Sequence, residues 1–212
     1  MESIIIYVNH YIKLVNIYSG GRYGMNTQQK RLRNMINIAF FAAIIGVLAQ
    51  VTIPLPFIPI TGQTLAIGLA ATILGSRLGT FSVLLYVLIG IAGVPVFSQM
   101  SAGLGVVLGP TGGFIIGFIP TAFFTGYILE KSSFTYKNAI IANIVGMIIT
   151  LTFGTVWYKF VMDVTWVGAF TTAFTPFIIV GIIKAVLASW VGIIVRERLI
   201  SANLIYPNAR SL

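Results

Sequence analysis

The sequence predicts an all-α integral membrane protein, a bundle of six transmembrane helices with both its N- and C-termini in the cytoplasm. Of its 212 residues, 58% are hydrophobic and 8% are charged, whereas roughly a quarter of the residues in a soluble domain are charged. Its apolar runs repeatedly approach or exceed the ~18 to 20 residues that cross a hydrocarbon core. Such a chain cannot cover a surface that faces water, so a lipid bilayer is its expected solvent.

Residues 1–24 are predicted to be an N-terminal extension that precedes the membrane domain. They lack the basic start, the clean apolar stretch and the small-residue exit of a signal peptide. The next segment, MNTQQKRLRN from Met25, is the polar and basic lead-in expected before a first membrane helix. One interpretation is that Met25 is the native start and that residues 1–24 are not native. The alternative is that residues 4–17 form a real interfacial helix.

The membrane domain is predicted to cover residues 25–200, and residues 201–212 are predicted to be a cytoplasmic tail. The first span should end at PLPFIP, because proline cannot continue a regular helix. Residues 94–109 are apolar but short and rich in glycine, so we expect a loop or a re-entrant segment that protein covers. The six spans are predicted at about 35–53, 61–74, 79–93, 110–129, 139–158 and 174–195.

Basic residues are distributed between these spans in a way that favours one orientation, since positive residues prefer the cytoplasmic side. With six spans and both ends inside, the outer side keeps only Lys159, whereas five or seven spans would separate Arg196 from Lys30. Topology thus explains most of the net charge of +9, and the scattered basic residues predict no nucleic acid partner. The cytoplasmic set is Lys30, Arg31, Arg33, Arg77, Lys131, Lys137, Arg196, Arg198 and Arg210.

Lys184 is the one charged residue predicted to lie well inside a span, in the run FIIVGIIKAVLASW. A cation at that depth costs roughly 3 kcal/mol on insertion scales, so intramembrane lysines usually face the bundle interior and have a partner. Glu130 and Glu197 are predicted in cytoplasmic flanks and Asp163 in an outer loop. A bound carboxylate would therefore be a suitable partner. The alternatives are pairing with another protein group and snorkelling to the membrane interface.

The residue inventory disfavours an enzyme. The chain has no cysteine, and its single histidine, His10, lies in the predicted extension. Acid–base or metal chemistry would need two acids at a common depth, and the predicted spans offer none. Residues 103–113 resemble a phosphate-binding loop only in glycine content, since no Gly-Lys-Ser/Thr follows. We expect no catalytic residue, no metal site, no cofactor and no ATP site within this chain.

Two further groups of residues indicate contacts. Ala39 and Ala43 are four positions apart on the first span, where small side chains let another helix approach closely. Packing within the chain is the alternative for this pair, and an interfacial aromatic belt is the alternative for Trp166. Aromatic and amide side chains near the predicted outer loops could line a site. They are Phe57, Gln63, Tyr86, Phe97, Gln99 and Trp166.

Four segments carry a resemblance to a known family: PITGQTLAIGLAATILGSRLG, VLLYVLIGIAGVPVF, GLGVVLGPTGGFIIGF and the IIKAVLAS around Lys184. In these segments, and from about 34 to 198 overall, the chain resembles the BioY family, the biotin-binding S components of energy-coupling-factor (ECF) vitamin transporters. The resemblance implies a six-helix protein in the cytoplasmic (inner) membrane of a bacterium that captures biotin from outside. It also implies partners, namely a transmembrane coupling protein contacted by Ala39 and Ala43, and two ATPase subunits.

On this resemblance, Lys184 is expected to bind the biotin carboxylate, while loops around 54–63 and 94–113 close over the ligand. Family members commonly carry an acidic residue three positions before this lysine. Here that position is Gly181, so either another group such as Gln99, Asn143 or the Thr111 hydroxyl replaces the acid, or the chain binds a variant ligand. The expected substrate-binding residues are Lys184, Thr61, Gln63, Tyr86, Gln99, Thr111, Gly112 and Asn143.

Two other functions stay open at this point. One is a stand-alone carrier of another small carboxylate vitamin, which would need no ATPase module. The other is a membrane-embedded transferase, which would be favoured if Lys184 faced lipid-accessible space beside Asp163.

Overall fold

A computed structural model describes residues 27–202 and 204–205 of the chain. The predicted extension at 1–24 and most of the predicted tail at 201–212 lie outside these residues. The chain divides into two compact units, Met1–Met35 and Ile36–Leu212. Every contact discussed below lies within the second unit.

The described residues are mostly helical, as the hydropathy predicts. The single-residue turn between α2 and α3 is made by Gly75, whose φ of 85° lies in the left-handed region that glycine adopts without strain. The elements in chain order are α1 (Thr27–Ala49), β1 (Thr52–Ile53), β2 (Ile60–Thr61), α2 (Gln63–Leu74), α3 (Ser76–Ile91), a short 3₁₀ turn (Ser98–Met100), α4 (Leu104–Leu108), α5 (Gly112–Lys131), α6 (Tyr136–Val161), α7 (Trp166–Ala173) and α8 (Thr175–Ser201).

Helix α1 ends at Ala49, four residues before the predicted end of the first span. The next residues leave the helix and pair in a small antiparallel hairpin, with Thr52 opposite Thr61. The backbone N–H of Gly62 also donates to the Val51 carbonyl at 2.8 Å. The proline-rich segment between β1 and β2 is therefore held as a closed loop next to the start of α2.

Residues 94–109 form the interrupted segment that the sequence predicts, with the 3₁₀ turn and the five-residue α4 inside it. Helix α7 was not predicted. It lies in the loop between the fifth and sixth predicted spans, and the Thr165 side chain caps it by accepting a hydrogen bond from Gly168 N at 3.2 Å. The loop therefore carries helical structure of its own before α8 begins.

Four helical stretches in the described residues are long and apolar enough to cross a membrane: Thr27–Ala49, Gly112–Lys131, Tyr136–Val161 and Trp166–Ser201. Helices α2 and α3 are apolar but shorter. The 12 residues of α2 extend about 18 Å at 1.5 Å per residue, less than the ~30 Å hydrocarbon core. The chain is a multi-pass membrane protein, and its predicted count of six complete spans stays a prediction.

Helix α2 is deeply buried and packs against α3, α5 and α8. Small residues make this close packing possible. Ala66, Ala70 and Ala71 are fully buried, and a Cβ at Gly68 would lie 2.9 Å from that of Ala188 on α8. Because α2 starts at the β hairpin, it positions Gln63 and Thr64 in the wall of the cavity described next.

Candidate ligand-binding cavity

A cavity of about 390 Å³ lies between the second unit's helices and two of its loops. Its walls come from the loop at 55–59, the start of α2, the segment 97–101 and the interiors of α5, α6 and α8. Apolar side chains form much of the surface, among them Phe114, Phe118, Leu151 and Phe177. The volume falls within the roughly 300–1,000 Å³ of small-molecule sites, which combine apolar walls with a few placed polar groups.

Lys184 reaches from α8 to the start of α2. Its Nζ donates to the Thr61 carbonyl at 2.7 Å and to the Thr64 hydroxyl at 3.3 Å. A lysine ammonium has three N–H donors, so one has no partner in the described residues. None of the cavity-lining residues within the described ranges is acidic. The cation therefore meets neutral groups only, and a ligand with an anionic or strongly accepting group would complete its contacts.

Gln63 is held in place by hydrogen bonds on both sides of its amide. The Thr61 hydroxyl donates to Gln63 Oε1 at 2.7 Å, and Gln63 Nε2 donates to the Tyr86 hydroxyl at 2.5 Å. Tyr86 is fully buried and lies behind the cavity wall. It therefore orients the Gln63 amide instead of lining the cavity.

Asn143 presents an oriented amide from the first third of α6. Its Nδ2 donates to the hydroxyls of Thr72 and Ser189, both at 3.0 Å, and to the Ala139 carbonyl at 2.9 Å. Its Oδ1 accepts no hydrogen bond from the part of the chain that the structure describes. Asn143 lines the cavity, and its Oδ1 lies beside Gly68 on α2 as an acceptor without a partner in the described residues.

Two threonines, one on α5 and one on α6, add a polar patch to the cavity wall. Thr121 on α5 and Thr150 on α6 share a hydroxyl–hydroxyl bond of 2.7 Å, and Thr121 also donates to the Gly146 carbonyl at 3.0 Å. Both line the cavity. Because these bonds link α5 to α6, the patch also fixes the width of the cavity at this point.

Six of the eight predicted substrate-binding residues line this cavity, and two do not. Tyr86 lies behind Gln63, as described above. A Cβ at Gly112 would lie 3.1 Å from Trp157 Nε1 and would collide with the Val107 carbonyl, so this glycine serves close packing of α4, α5 and α6. Trp166 also lies outside the lining. The predicted residues that line the cavity are Lys184, Thr61, Gln63, Gln99, Thr111 and Asn143.

Gly181 lines the cavity three positions before Lys184. A Cβ at Gly181 would lie 2.9 Å from Met147 Cγ and would collide with Met147 Sδ. The space that a larger residue would need is therefore filled by a methionine from α6. Glycine at position 181, with the Met147 side chain beside it, makes this part of the cavity wall apolar and flexible.

Ala39 and Ala43 lie on an exposed face of α1. Large apolar side chains flank them on the same face: Phe40 is 60% exposed and Val47 is 68% exposed. A stripe of small residues between large ones leaves a shallow groove in which another apolar helix can pack. Packing within the described part of the chain does not cover these two alanines.

Sequence reasoning missed several lining residues, notably Thr64, Thr121, Met147 and Thr150. Thr64 had a usable signal, since it follows Thr61 by one helical turn at the start of a span. The pair of Thr121 and Thr150 had none, because it joins two helices through tertiary packing.

Comparison with known proteins decides the family. A family profile described as the BioY family matches residues 24–201. The chain belongs to the BioY family. The predicted resemblance is therefore confirmed over the membrane domain, and residues 1–23 lie outside the match.

Members of the BioY family match this chain across most of their own length. "Biotin transporter BioY2" of Lactococcus lactis is 40% identical over 181 residues, covering 85% of this chain and 100% of that protein. "Biotin transporter BioY" of Thermotoga maritima is 37% identical over 164 residues, covering 76% of this chain and 95% of that protein. Both relatives are named as transporters.

A solved structure shares the fold of this chain. It is described as the S-component for biotin from an ECF-type ABC transporter, and it matches with a TM-score of 0.74 and 29% sequence identity. The match covers 82% of this chain and 95% of that structure. The fold of this chain is thus that of a membrane S component.

Proposed function

We propose that this member of the BioY family captures biotin as the substrate-specific S component of an ECF-type transporter. The observation that carries the proposal is the cavity beside Lys184, whose described lining offers the ammonium no acidic partner. Biotin supplies a carboxylate for that cation and an apolar body for the aromatic walls. The relatives named as biotin transporters support this substrate. Such a subunit binds and delivers its substrate without converting it, so the protein is not an enzyme.

Lys184 acts as the anchor for the biotin carboxylate. Its remaining N–H donor is aimed by the two bonds to Thr61 and Thr64. A charge-assisted hydrogen bond of this kind is roughly twice as strong as a neutral one. Anchoring one end of the ligand to α8 and α2 places the rest of the molecule along the apolar walls of the cavity.

The ureido ring of biotin carries one carbonyl acceptor and two N–H donors. Asn143 Oδ1 is the oriented acceptor for one N–H, and Gln99 and Thr111 are further lining groups that can take part. These three groups replace the acid that is absent at Gly181. A site that hydrogen-bonds a polar ring in this way rejects analogues that lack it, because buried polar groups would stay unpaired.

The proposed topology has six spans with both ends in the cytoplasm of a bacterium. It places Arg77, Lys131 and Arg198 on the cytoplasmic side, as the positive-inside rule requires. The loops at 55–59 and 97–101 then open to the outside, where the ligand enters. The short helices α2 and α3 cross as a hairpin enclosed by the longer ones.

Energy for uptake comes from partner subunits in this proposal. The exposed face of Ala39 and Ala43 on α1 is where the transmembrane coupling protein docks, and that protein connects to two ATPase subunits. The chain has no Gly-Lys-Ser/Thr phosphate-binding motif of its own.

The direct test is calorimetric titration of the purified chain with biotin, with lipoate as a second carboxylate vitamin. We expect saturable binding of biotin and at least about 100-fold weaker binding of lipoate, which lacks the ureido ring. Absence of biotin binding would refute the substrate. Preference for lipoate would favour a carrier of another vitamin.

Uptake assays separate a coupled subunit from a stand-alone carrier. Cells that express the chain with a coupling protein and ATPases should accumulate biotin faster than cells that express the chain without them. Equal uptake in both strains would refute the dependence on an energising module.

A further inference from the structure

We propose that Gln50 is a positioning residue that holds the segment 96–101 against the cavity and so sets how long biotin stays bound. Gln50 follows the last residue of α1 and does not line the cavity itself. The inference rests on the proposed biotin binding. It adds a role for a residue outside the binding surface.

The Gln50 amide binds this segment through both of its polar atoms. Nε2 donates to the Phe97 carbonyl at 3.0 Å and to the Val96 carbonyl at 3.4 Å, and Oε1 accepts from Met100 N at 2.9 Å. Nε2 also donates to the Gly46 carbonyl in the last turn of α1 at 3.2 Å. One side chain thus ties both ends of a short cavity wall to α1.

The tied segment has a backbone conformation that needs external support. Gln99 has φ 58° and Met100 has φ 56°. Two consecutive non-glycine residues in the left-handed region are unfavourable, and such residues persist only where surrounding contacts fix them. The bond from Met100 N to Gln50 acts directly on this pair. Without it, the segment is expected to relax toward ordinary backbone angles.

The same segment forms part of the cavity wall. Phe97, Ser98, Gln99 and Ser101 all line the cavity. A change in the backbone angles of Gln99 and Met100 would therefore move lining side chains directly. This connects the Gln50 bonds to ligand retention.

Phe97 provides a second anchor that keeps one end of the segment fixed. It is 1% exposed and packs edge-to-face on Tyr86, with ring centroids 5.6 Å apart. Gly90 leaves room for it, since a Cβ there would lie 2.7 Å or less from the Phe97 ring. Loss of the Gln50 bonds is thus expected to loosen residues 98–101 while Phe97 stays seated. We therefore expect loss of the Gln50 bonds to change the cavity wall locally and not to unfold the protein.

One chain of contacts links the segment 96–101 to Lys184. Tyr86 touches Phe97 on one side and accepts from Gln63 on the other. Gln63 in turn binds Thr61, whose carbonyl accepts from Lys184. The position of the segment 96–101 is therefore built on the same residues that aim the Lys184 ammonium.

The test measures dissociation of labelled biotin from the purified full chain after a chase with unlabelled biotin. Gln50→Leu removes all of these bonds, and we expect dissociation to accelerate by about 10-fold, since affinity changes within one site act mostly through the off-rate. Gln50→Glu keeps an acceptor for Met100 N but places a carboxylate oxygen against the Phe97 and Val96 carbonyls, so it should also release biotin faster than wild type. Thr152→Ala, which removes a hydroxyl bonded to its own helix at Ile148, is the control and should match wild type.

Unchanged dissociation in a folded Gln50→Leu variant would overturn the inference. If Gln50→Leu does not fold, Gln50→Glu decides by the same criterion. If wild type does not bind biotin, the proposed function fails, and hydrogen exchange of the ligand-free chain decides instead. Faster exchange at 96–101 in the Gln50 variants, with α5 unchanged, would support the positioning role, and equal exchange would overturn it.

Discussion

Two cations on helix α8 bind the two ends of helix α2. Lys184 donates to the Thr61 carbonyl just before α2 begins, and Arg196 donates through Nη1 to the Ile73 carbonyl in its last turn. The two residues are 12 positions apart, about 18 Å along a helix. Both are removed from water by the same pair of helices, yet their surroundings differ.

Arg196 has compensating groups on several sides. It is 3% exposed, its guanidinium lies 3.5 Å from the centre of the Phe134 ring, and it interacts electrostatically with Glu130. Glu130 also accepts from the Ser76 backbone at 2.7 Å and from its hydroxyl at 2.8 Å. Arg196 is therefore a structural cation whose charge is compensated by groups of the protein itself.

Lys184 lacks such compensation, since the cavity beside it has no carboxylate among its described lining residues. A nearby acid, rather than the depth of the cation, separates a structural cation from one available to a ligand.

Lys184→Ala should weaken biotin binding by about 100-fold or more. Truncating one partner of a buried charged pair costs about 2–5 kcal/mol, and each 1.4 kcal/mol or so is a factor of ten in Kd. Titration calorimetry measures this, with Lys159→Ala as the matched control because that lysine contacts the Phe160 ring outside the cavity. Unchanged affinity would exclude Lys184 as an anchor.

Arg196→Leu should lower the stability of the protein by about 3 kcal/mol, because it leaves Glu130 without its buried partner. The expected result is a lower Tm in detergent, with biotin affinity of the folded fraction within a few-fold of wild type. Arg198→Leu, at an exposed position on the same helix, should leave Tm unchanged. A normal Tm combined with lost binding would reverse the assignment of the two cations.

Asn143→Ala should weaken biotin binding by about 10-fold, since hydrogen bonds to buried groups contribute roughly 0.5–1.5 kcal/mol and unpaired partners add a penalty. The control is Asn138→Ala on the same helix, where the amide binds Ser133. Measuring the biotin Kd of both variants tests this prediction. An unaltered Kd for Asn143→Ala would remove this amide from the ligand site.

Gly181→Ala should have the smallest effect, about a 3-fold loss of affinity, because the new methyl group displaces the flexible side chain of Met147. The double variant Gly181→Ala with Met147→Ala should recover most of that loss. A loss that persists in the double variant would mean that Gly181 contacts the ligand in another way.

Lys184 illustrates what the sequence predicts well. A lone charge in an apolar run needs a partner, and that reasoning uses only hydropathy and the positions of the acids. The short turn at Gly75 and the interrupted segment at 94–109 were predictable for similar local reasons. Both follow from glycine content and the lengths of the neighbouring apolar runs.

Tertiary contacts account for what the sequence did not predict. The charge distribution places Arg196 in a cytoplasmic flank, whereas its burial depends on Phe134 and the end of α2. Helix α1 ends early because Thr52 pairs with Thr61, and the indirect position of Tyr86 depends on the packing of α3. Each of these depends on residues that are distant in sequence and meet only after folding.

The most direct measurement is a cycle of four titrations, in which wild type and Lys184→Ala each bind biotin and the uncharged analogue biotinamide. If the carboxylate meets Lys184, wild type should lose at least about 10-fold on going to the amide, consistent with the loss of a charged hydrogen bond. The lysine variant should lose almost nothing. Equal affinity of wild type for both ligands, or an equal loss in both proteins, would contradict the pairing of Lys184 with the biotin carboxylate.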